Sequence, residues 1–148
     1  MAWNVNGIRA RWHENHTVFS DSDIVVLTET KLDATATSAS FSLPGFQLYR
    51  RDRSRHGGGV LMYVKNSLRP APLTQLQQKS ADDGLEVIIF LVHLKNKADK
   101  IVIVGVYRPP SSKISWFDAF IDLILKLKSI GPLIILGDLN FDLMKPEA

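Results

Sequence analysis

Continuous apolar runs, rather than alternating ones, dominate the pattern of this 148-residue chain. Two short runs, Ile-Val-Val-Leu at 24–27 and Leu-Ile-Ile-Leu at 133–136, lie between turn-forming residues and predict strands buried on both faces. Longer β-rich runs at 85–94 and 101–107 enclose a charged segment at 95–100, a pattern that predicts a hairpin. The same reasoning predicts shorter strands at 2–5, 46–49 and 60–64.

Helical spacing of apolar residues is clearest in one segment, made of Phe117, Phe120, Ile121, Ile124 and Leu127. Ser115 with Asp118 three residues later resembles a capping box at the start of that helix. Residues 8–19 predict a weaker helix, because polar residues interrupt the apolar stripe. Residues 65–83, with two prolines and a glutamine-rich patch, predict a surface connection.

Composition narrows the class of protein without fixing its function. Hydrophobic residues make up 45% of the chain and charged residues 22%, which indicates a globular domain. The absence of cysteine excludes disulfides and thiolate metal sites. A net charge of +3 permits a polyanionic partner without requiring one. No run reaches membrane-spanning length and the polar N-terminus does not resemble a signal peptide, so the expected location is intracellular.

Polar residues follow both short apolar runs, where a sheet would present them at its edge. Asp138 and Asn140 lie at alternate positions after the second run, so an extended backbone would point both side chains the same way. A carboxylate that accepts a proton and an amide that donates a hydrogen bond suit work on a phosphate. A simple polar turn is an equally good interpretation. Glu29 follows the first run and predicts an oxygen ligand for magnesium, the alternative being a surface pair with Lys31.

Other segments offer weaker signals. Asn4 and Asn6 alternate before Gly7 and could hold a cation or a phosphate, or cap the next segment. Prolines end the strand at 101–107 and leave Tyr107 and Arg108 at its tip.

Residues 50–56 contain four arginines, which could meet DNA phosphates or form a solvated loop. The three glycines at 57–59 lack the Gly-Lys-Ser/Thr of a P-loop and predict a flexible entry to the next strand.

Five segments in this order carry a resemblance to a known family: WNVNGIRA, VVLTETKLD, RHGGGVLMYVKNSL, GVYRPP and LIILGDLNFDL. The chain resembles the endonuclease/exonuclease/phosphatase superfamily with its deoxyribonuclease-I-like fold. It is most similar to the apurinic/apyrimidinic-like endonuclease domain of non-LTR retrotransposons. The resemblance implies an α/β protein, a four-layered sandwich of two mixed β-sheets flanked by helices. Because no Ser-Asp-His motif follows residue 140, we expect residues 1–148 to be a single, C-terminally truncated domain.

The family likeness also implies a chemistry: hydrolysis of phosphodiesters with Mg²⁺, or alternatively Mn²⁺, to nick DNA. Residue by residue, it implies metal binding by Glu29 and Asn4 and contact with the scissile phosphate by Tyr107. Asp138 would orient or deprotonate the attacking water, and Asn140 would hold a phosphate oxygen. Further substrate contacts would come from Asn6, Arg9 and Arg108. The expected partners are DNA and a reverse transcriptase in a longer polyprotein, with no membrane, and the expected location is the nucleus.

Two other functions compete with this one. Without the Ser-Asp-His motif, the chain could be an inactive fragment that at most binds nucleic acid. A phosphatase acting on lipid or inositol phosphates is the second alternative, and the YRPP and GGGV segments argue against it.

Overall fold

The computed structural model describes residues 1–95 and 99–141, so the middle of the predicted hairpin connection and the residues after Phe141 lie outside it. Three α-helices and eight strands make up the described chain, with short 3₁₀ turns at Ser38–Phe41 and Asn66–Leu68. In chain order the elements are β1 (Ala2–Asn4), α1 (Trp12–Phe19), β2 (Ile24–Thr28), β3 (Phe46–Arg51), β4 (Val60–Lys65), β5 (Ala71–Pro72), α2 (Thr74–Asp82), β6 (Glu86–His93), β7 (Lys100–Tyr107), α3 (Ile114–Lys128) and β8 (Leu133–Asp138).

The strands form two mixed four-stranded sheets. The first sheet has the order β1-β2-β4-β3, in which β1 and β2 are parallel and the other pairs antiparallel. In the second sheet, of order β5-β6-β7-β8, only β7 and β8 are parallel. The hairpin predicted from the two long β-rich runs is confirmed as β6 and β7.

Three apolar clusters lie between four layers of secondary structure, which gives the α/β/β/α sandwich expected from the sequence. The first cluster joins α1 to one face of the first sheet, where Trp12 stacks on Tyr63 with ring centroids 5.6 Å apart. The second lies between the sheets, and the third joins the second sheet to α2 and α3. Successive residues of a strand point to opposite faces, so β2, β4, β6 and β7 need apolar residues at nearly every position.

Close contact between the sheets depends on one small residue. A Cβ added at Gly105 would lie 2.2 Å from the sulfur of Met62, a fully buried side chain between the sheets. Gly105 therefore makes room for Met62 in this layer.

Within the described ranges, no helix has the length and apolar character needed to cross a bilayer.

The structure corrects the prediction that residues 133–136 are buried on both faces. In the described chain β8 pairs only with β7, at the edge of the second sheet. Ile134 and Ile135 are 44% and 38% exposed, because no further strand or helix covers them there. The continuous apolar run predicts a strand correctly but not its position in the sheet.

Two other predictions are wrong. The segment 65–83 is not an irregular connection, since it contains β5 and the helix α2, from which Leu76 packs into the third cluster. Only a narrow side of this mostly polar helix is apolar, so the sequence pattern is weak. The capping box is absent as well, because Lys113 occupies the N-cap position without a side-chain bond and Ser115 lies inside the helix.

Candidate active site

Two hydrogen bonds between side chains join the two sheets at one end of the molecule. Asn4 donates from Nδ2 to Oδ2 of Asp138 over 3.0 Å, and the Tyr107 hydroxyl donates to Oε1 of Glu29 over 2.8 Å. Each pair combines one residue from the first sheet with one from the second. The four side chains, whose sequence positions are far apart, therefore meet in one polar cluster.

Strand pairing explains why these residues meet. In the first sheet Asn4 lies beside Thr28 in the parallel pair β1·β2, and Glu29 follows directly. In the second sheet Tyr107 lies beside Asp138 in the parallel pair β7·β8. Parallel strands end at the same edge of a sheet, and ligand sites of α/β folds commonly form there.

Left-handed backbone conformations concentrate around this cluster. Asn6, Glu29, Lys31 and Asn140 have φ values of 45°, 53°, 53° and 48°. Such conformations are uncommon for residues other than glycine and persist where surrounding contacts enforce them. At Asn6 and Glu29 those contacts include the backbone bond from Gly7 N–H to the Glu29 carbonyl, 2.8 Å long. The turn after β1 and the turn after β2 thus hold each other in place.

Asn140 does not point the same way as Asp138, contrary to the expectation from an extended backbone. Because its φ is positive, the chain curls and its backbone N–H donates to Oδ1 of Asp138 over 2.9 Å. Its side-chain Nδ2 donates to the Arg108 carbonyl over 2.6 Å. An amide nitrogen carries two hydrogens, so among the residues that the structure describes one donor of Asn140 stays available for a ligand.

From the residues that the structure describes, each oxygen of Asp138 accepts one hydrogen bond, Oδ2 from Asn4 and Oδ1 from the Asn140 backbone. A carboxylate oxygen has two acceptor positions, which leaves Asp138 able to accept from a water molecule.

Tyr107 is 3% exposed, and burial together with the bond to Glu29 holds the pKa of its hydroxyl above the ordinary value of 10. Tyr107 is therefore a neutral hydrogen-bond donor.

The oxygen atoms of Glu29 and Asn4 suit a hard divalent cation. Magnesium in proteins takes one or two carboxylates and keeps several waters, so a large ligand cluster is not required. In the described ranges no group of three or more His, Asp or Glu side chains is placed to hold a metal. Oε2 of Glu29 has no hydrogen-bond partner there and is the ligand atom best placed to bind one.

Arg108 holds the segment after β8 rather than reaching outward. Its Nη1 donates to the carbonyls of Leu139 and Asn140, and its guanidinium lies 4.5 Å from the ring centre of Phe117 and 5.5 Å from that of Phe141. Its direct contact with substrate stays a prediction.

Asn6 and Arg9 border a surface basin of about 410 Å³ next to the polar cluster. Lys31, also in the basin, donates to Oδ1 of Asn6, so Lys31 does not form the surface pair with Glu29 that the sequence allowed. Arg9 and Arg55 both bind the carboxylate of Asp33, over 3.2 and 3.0 Å. Hydrogen bonds from Thr35 and Arg55 hold the pKa of Asp33 far below its ordinary value.

The arginine-rich segment forms specific contacts that sequence analysis did not predict. Arg50 binds the Asp52 carboxylate and the Ala36 carbonyl, and Arg53 binds Glu86 over 2.8 Å. The Arg53–Glu86 pair spans 33 positions of sequence, so no local pattern could have indicated it.

The three glycines at 57–59 form a tight packing surface, not only a flexible entry to β4. A Cβ added at Gly58 would lie 2.4 Å from the Arg53 guanidinium carbon, and one at Gly59 would lie 2.5 Å from Oγ1 of Thr30. Gly58 and Gly59 also have φ values of 70° and 94°, which favour glycine.

Comparison of the sequence with family models decides the classification. The model described as Endonuclease/Exonuclease/phosphatase family matches residues 1–147. The chain belongs to the endonuclease/exonuclease/phosphatase family. Comparison of this family member with curated protein sequences gives no match.

Solved structures confirm the fold of this endonuclease/exonuclease/phosphatase chain. An AP endonuclease from Leishmania major superposes with a TM-score of 0.76 at 19% identity, over 99% of this chain and 57% of that one. A 3′ phosphatase from Neisseria, bound to a product DNA hairpin, gives a TM-score of 0.67 at 20% identity, over 95% and 56%. The endonuclease domain of TRAS1, a telomere-specific non-LTR retrotransposon, gives 0.65 at 14% identity, over 97% and 60%. The chain thus spans little more than half the length of these structures.

Proposed function

We propose that this chain supplies the metal-binding and water-orienting part of a phosphodiesterase site that acts on DNA. The observation that carries the proposal is the pair of hydrogen bonds between the sheets, Asn4 to Asp138 and Tyr107 to Glu29. They bring two residues with oxygen ligands suited to a metal, Glu29 and Asn4, together with a potential general base, Asp138, at one end of the sandwich. Family membership supports a hydrolase of the nuclease or phosphatase kind.

Glu29 and Asn4 would hold a divalent cation, Mg²⁺ or alternatively Mn²⁺. Bound there, the cation would supply positive charge to the oxygens of the phosphodiester as negative charge develops on them. Glu29 is oriented for this role by the Tyr107 hydroxyl, which occupies Oε1 and leaves Oε2 open within the described part of the chain. Asn4 is fixed by its bond to Asp138 and by the Asn6 backbone N–H, which donates to its Oδ1 over 3.1 Å.

Asp138 would orient a water molecule and take its proton as the water oxygen attacks phosphorus. The bonds from Asn4 and Asn140 fix the carboxylate in one plane, so the direction of its remaining acceptor positions is set before substrate binds. The new phosphorus–oxygen bond forms as the bond to the leaving oxygen breaks, and the leaving oxygen then takes a proton from solvent.

Tyr107 and Asn140 would stabilise the non-bridging oxygens. The neutral phenol of Tyr107 can turn its proton from Glu29 towards a phosphate oxygen, and the second hydrogen of Asn140 Nδ2 can donate to another. None of the four histidines of the chain forms a hydrogen bond with these residues in the described ranges. Loss of one preorganised hydrogen-bond donor, here a histidine, typically lowers the rate of the chemical step by roughly 10²–10³. We therefore expect slow cleavage of DNA by the 148-residue chain.

DNA as substrate is supported by two similar structures, a Neisseria 3′ phosphatase bound to a product DNA hairpin and the endonuclease domain of a non-LTR retrotransposon. Within this proposal the chain is of the retrotransposon type, nicks DNA, and acts together with a reverse transcriptase in a longer polyprotein in the nucleus. The order of the TET, GGGV, YRPP and GDLN segments supports that assignment.

An activated substrate tests the proposed site separately from leaving-group chemistry. Bis(p-nitrophenyl) phosphate releases p-nitrophenolate, a stable anion that leaves without being protonated. A bound metal ion and an oriented water molecule should therefore suffice for its hydrolysis. The chain should hydrolyse it with Mg²⁺ or Mn²⁺ and not with EDTA, while nicking of supercoiled plasmid stays weak. Glu29→Gln and Asp138→Asn should each remove the activity.

Lys128→Gln is the matched control, because this exposed residue lies at the end of α3 remote from Asp138. Activity that persists in Asp138→Asn would contradict the proposal. Complete inactivity of the wild-type chain, with DNA binding retained, would instead favour the inactive nucleic-acid-binding alternative.

A further inference from the structure

Tyr107 has a neighbour on the adjacent strand that the proposed chemistry does not use. Glu86, the first residue of β6, is the register partner of Tyr107 in the antiparallel pair β6·β7. Residues directly opposite each other in such a pair project from the same face of the sheet. The Glu86 side chain is 13% exposed, so its carboxylate is largely withdrawn from solvent.

Both oxygens of Glu86 are used to reach the first sheet. Oε2 accepts a hydrogen bond from the backbone N–H of Gly59 over 2.7 Å, and Oε1 binds Nη1 of Arg53 over 2.8 Å. Glu86 thus ties the start of β6 to the segment before β4. A largely buried carboxylate with two charge-assisted bonds is a more rigid connection than an exposed ion pair.

Arg53 extends this connection onto the ring of Tyr107. Its guanidinium carbon lies 5.9 Å from the ring centroid, within the range of a cation–π contact. Arg53 Nε also donates to the Gly57 carbonyl over 3.1 Å. The guanidinium packs directly against Gly58, where a side chain would collide with it. Movement of the Arg53 guanidinium would break its bonds to the Gly57 carbonyl and to Glu86.

We propose that Arg53 and Glu86 act as positioning residues that fix the ring of Tyr107 and thereby aim its hydroxyl. The ring is packed in the cluster between the sheets and its hydroxyl is held by the bond to Glu29, and the Arg53 guanidinium lies against the ring as a further contact. In catalysis, misplacement of a donor by about 1 Å can cost on the order of 10²-fold in rate. The catalytic part of this inference rests on the proposed function, whereas the positioning itself does not.

Nuclear magnetic resonance tests the positioning without any activity. The chain contains three tyrosines, so a sample labelled at the tyrosine ζ carbon gives three signals, and Tyr107→Phe identifies one of them. Arg53→Gln and Glu86→Gln should both shift the Tyr107 signal and leave those of Tyr49 and Tyr63 in place.

Arg69→Gln is the control for this experiment. Arg69 also donates to a backbone carbonyl, that of Leu94 beyond the opposite end of β6, and its loss should shift no Tyr107 signal. A Tyr107 signal that does not respond to Arg53→Gln would overturn the inference.

A double-mutant cycle on the hydrolysis of bis(p-nitrophenyl) phosphate tests the catalytic consequence. Arg53→Gln should lower kcat by roughly 10-fold with KM nearly unchanged, and Arg53→Lys, which keeps the cation beside Glu86, should recover part of the loss. In the Tyr107→Phe background, which lacks the hydroxyl, Arg53→Gln should cost nothing further.

An equal loss in both backgrounds, or a rise in KM alone, would show that Arg53 contacts substrate itself and would overturn the positioning role. If the wild-type chain hydrolyses nothing while the Tyr107 signal still moves in Arg53→Gln, the proposed function fails and the positioning stands.

Discussion

Asn4 and Asp138 are 134 positions apart in sequence, yet the Asn4 amide donates a 3.0 Å hydrogen bond to the Asp138 carboxylate. This bond connects the first strand of one sheet with the last described strand of the other. An amide is the side chain that suits this position, because it offers a donor to Asp138 without adding a second negative charge.

Replacing that amide by a carboxylate should therefore weaken the fold. We expect Asn4→Asp to lower the free energy of unfolding by roughly 1 kcal/mol at neutral pH, through loss of the bond and repulsion between carboxylates. The loss should shrink below about pH 4, where one of the two carboxyls takes up a proton. Urea unfolding at both pH values measures the effect, with Asn4→Ser as the uncharged comparison. A deficit of equal size at both pH values would argue against repulsion.

Gly137 should be indispensable to the pairing of β7 with β8. A Cβ at this position would lie 1.9 Å from the Val106 carbonyl oxygen, and its φ is 144°. Since the obstacle is backbone, it cannot rotate away, and Gly137→Ala should cost roughly 3 kcal/mol or more. Gly131→Ala is the matched control, because its nearest contact would be an ordinary 3.6 Å and its φ is unexceptional. Equal urea midpoints for the two variants would contradict this account.

Arg9 should contribute to nucleic-acid binding through the basin that it shares with Lys31 and Arg55. Removing one phosphate contact reduces the slope of log K against log salt concentration by about 1. We expect Arg9→Gln to show this reduction for a labelled DNA duplex, measured by fluorescence anisotropy in EDTA so that no cleavage occurs. Lys128→Gln removes the same charge at a remote position and should leave the slope unchanged. An identical slope for both variants and the wild type would exclude Arg9 from the interface.

Asp33 should make stability depend on pH in the acid range. Its carboxylate accepts hydrogen bonds from Thr35 and Arg55, which hold its pKa well below the ordinary value of 3.8 in the folded chain. A depressed folded pKa stabilises the native state above the unfolded value, and that contribution is lost as pH falls below it. The wild-type chain should therefore exceed Asp33→Asn in stability at pH 6, and the difference should decline progressively below pH 3.8. Thermal unfolding of both proteins across this range measures it, and a difference that grows on acidification would refute the assignment.

The apolar runs predicted β2, β4, β6 and β7 from the sequence, because a strand covered on both faces needs apolar residues at successive positions. The same pattern misplaced β8, in which Ile134 and Ile135, on opposite faces of the strand, are both exposed among the described residues. A run of apolar residues reports that a segment favours burial, and it carries no information about how many neighbours the fold provides.

By itself the sequence determined that Glu29, Tyr107 and Asp138 would each lie at or just past the end of a strand, since the turn residues and prolines that stop each strand are local signals. Only the tertiary structure decided that Asn4 binds Asp138, that Asn140 turns back onto Arg108, and that Arg53 and Glu86 meet over Tyr107. The physical reason is the separation in sequence between the residues that interact. Strand ends depend on neighbouring residues, whereas these contacts depend on the register and stacking of two sheets built from distant segments.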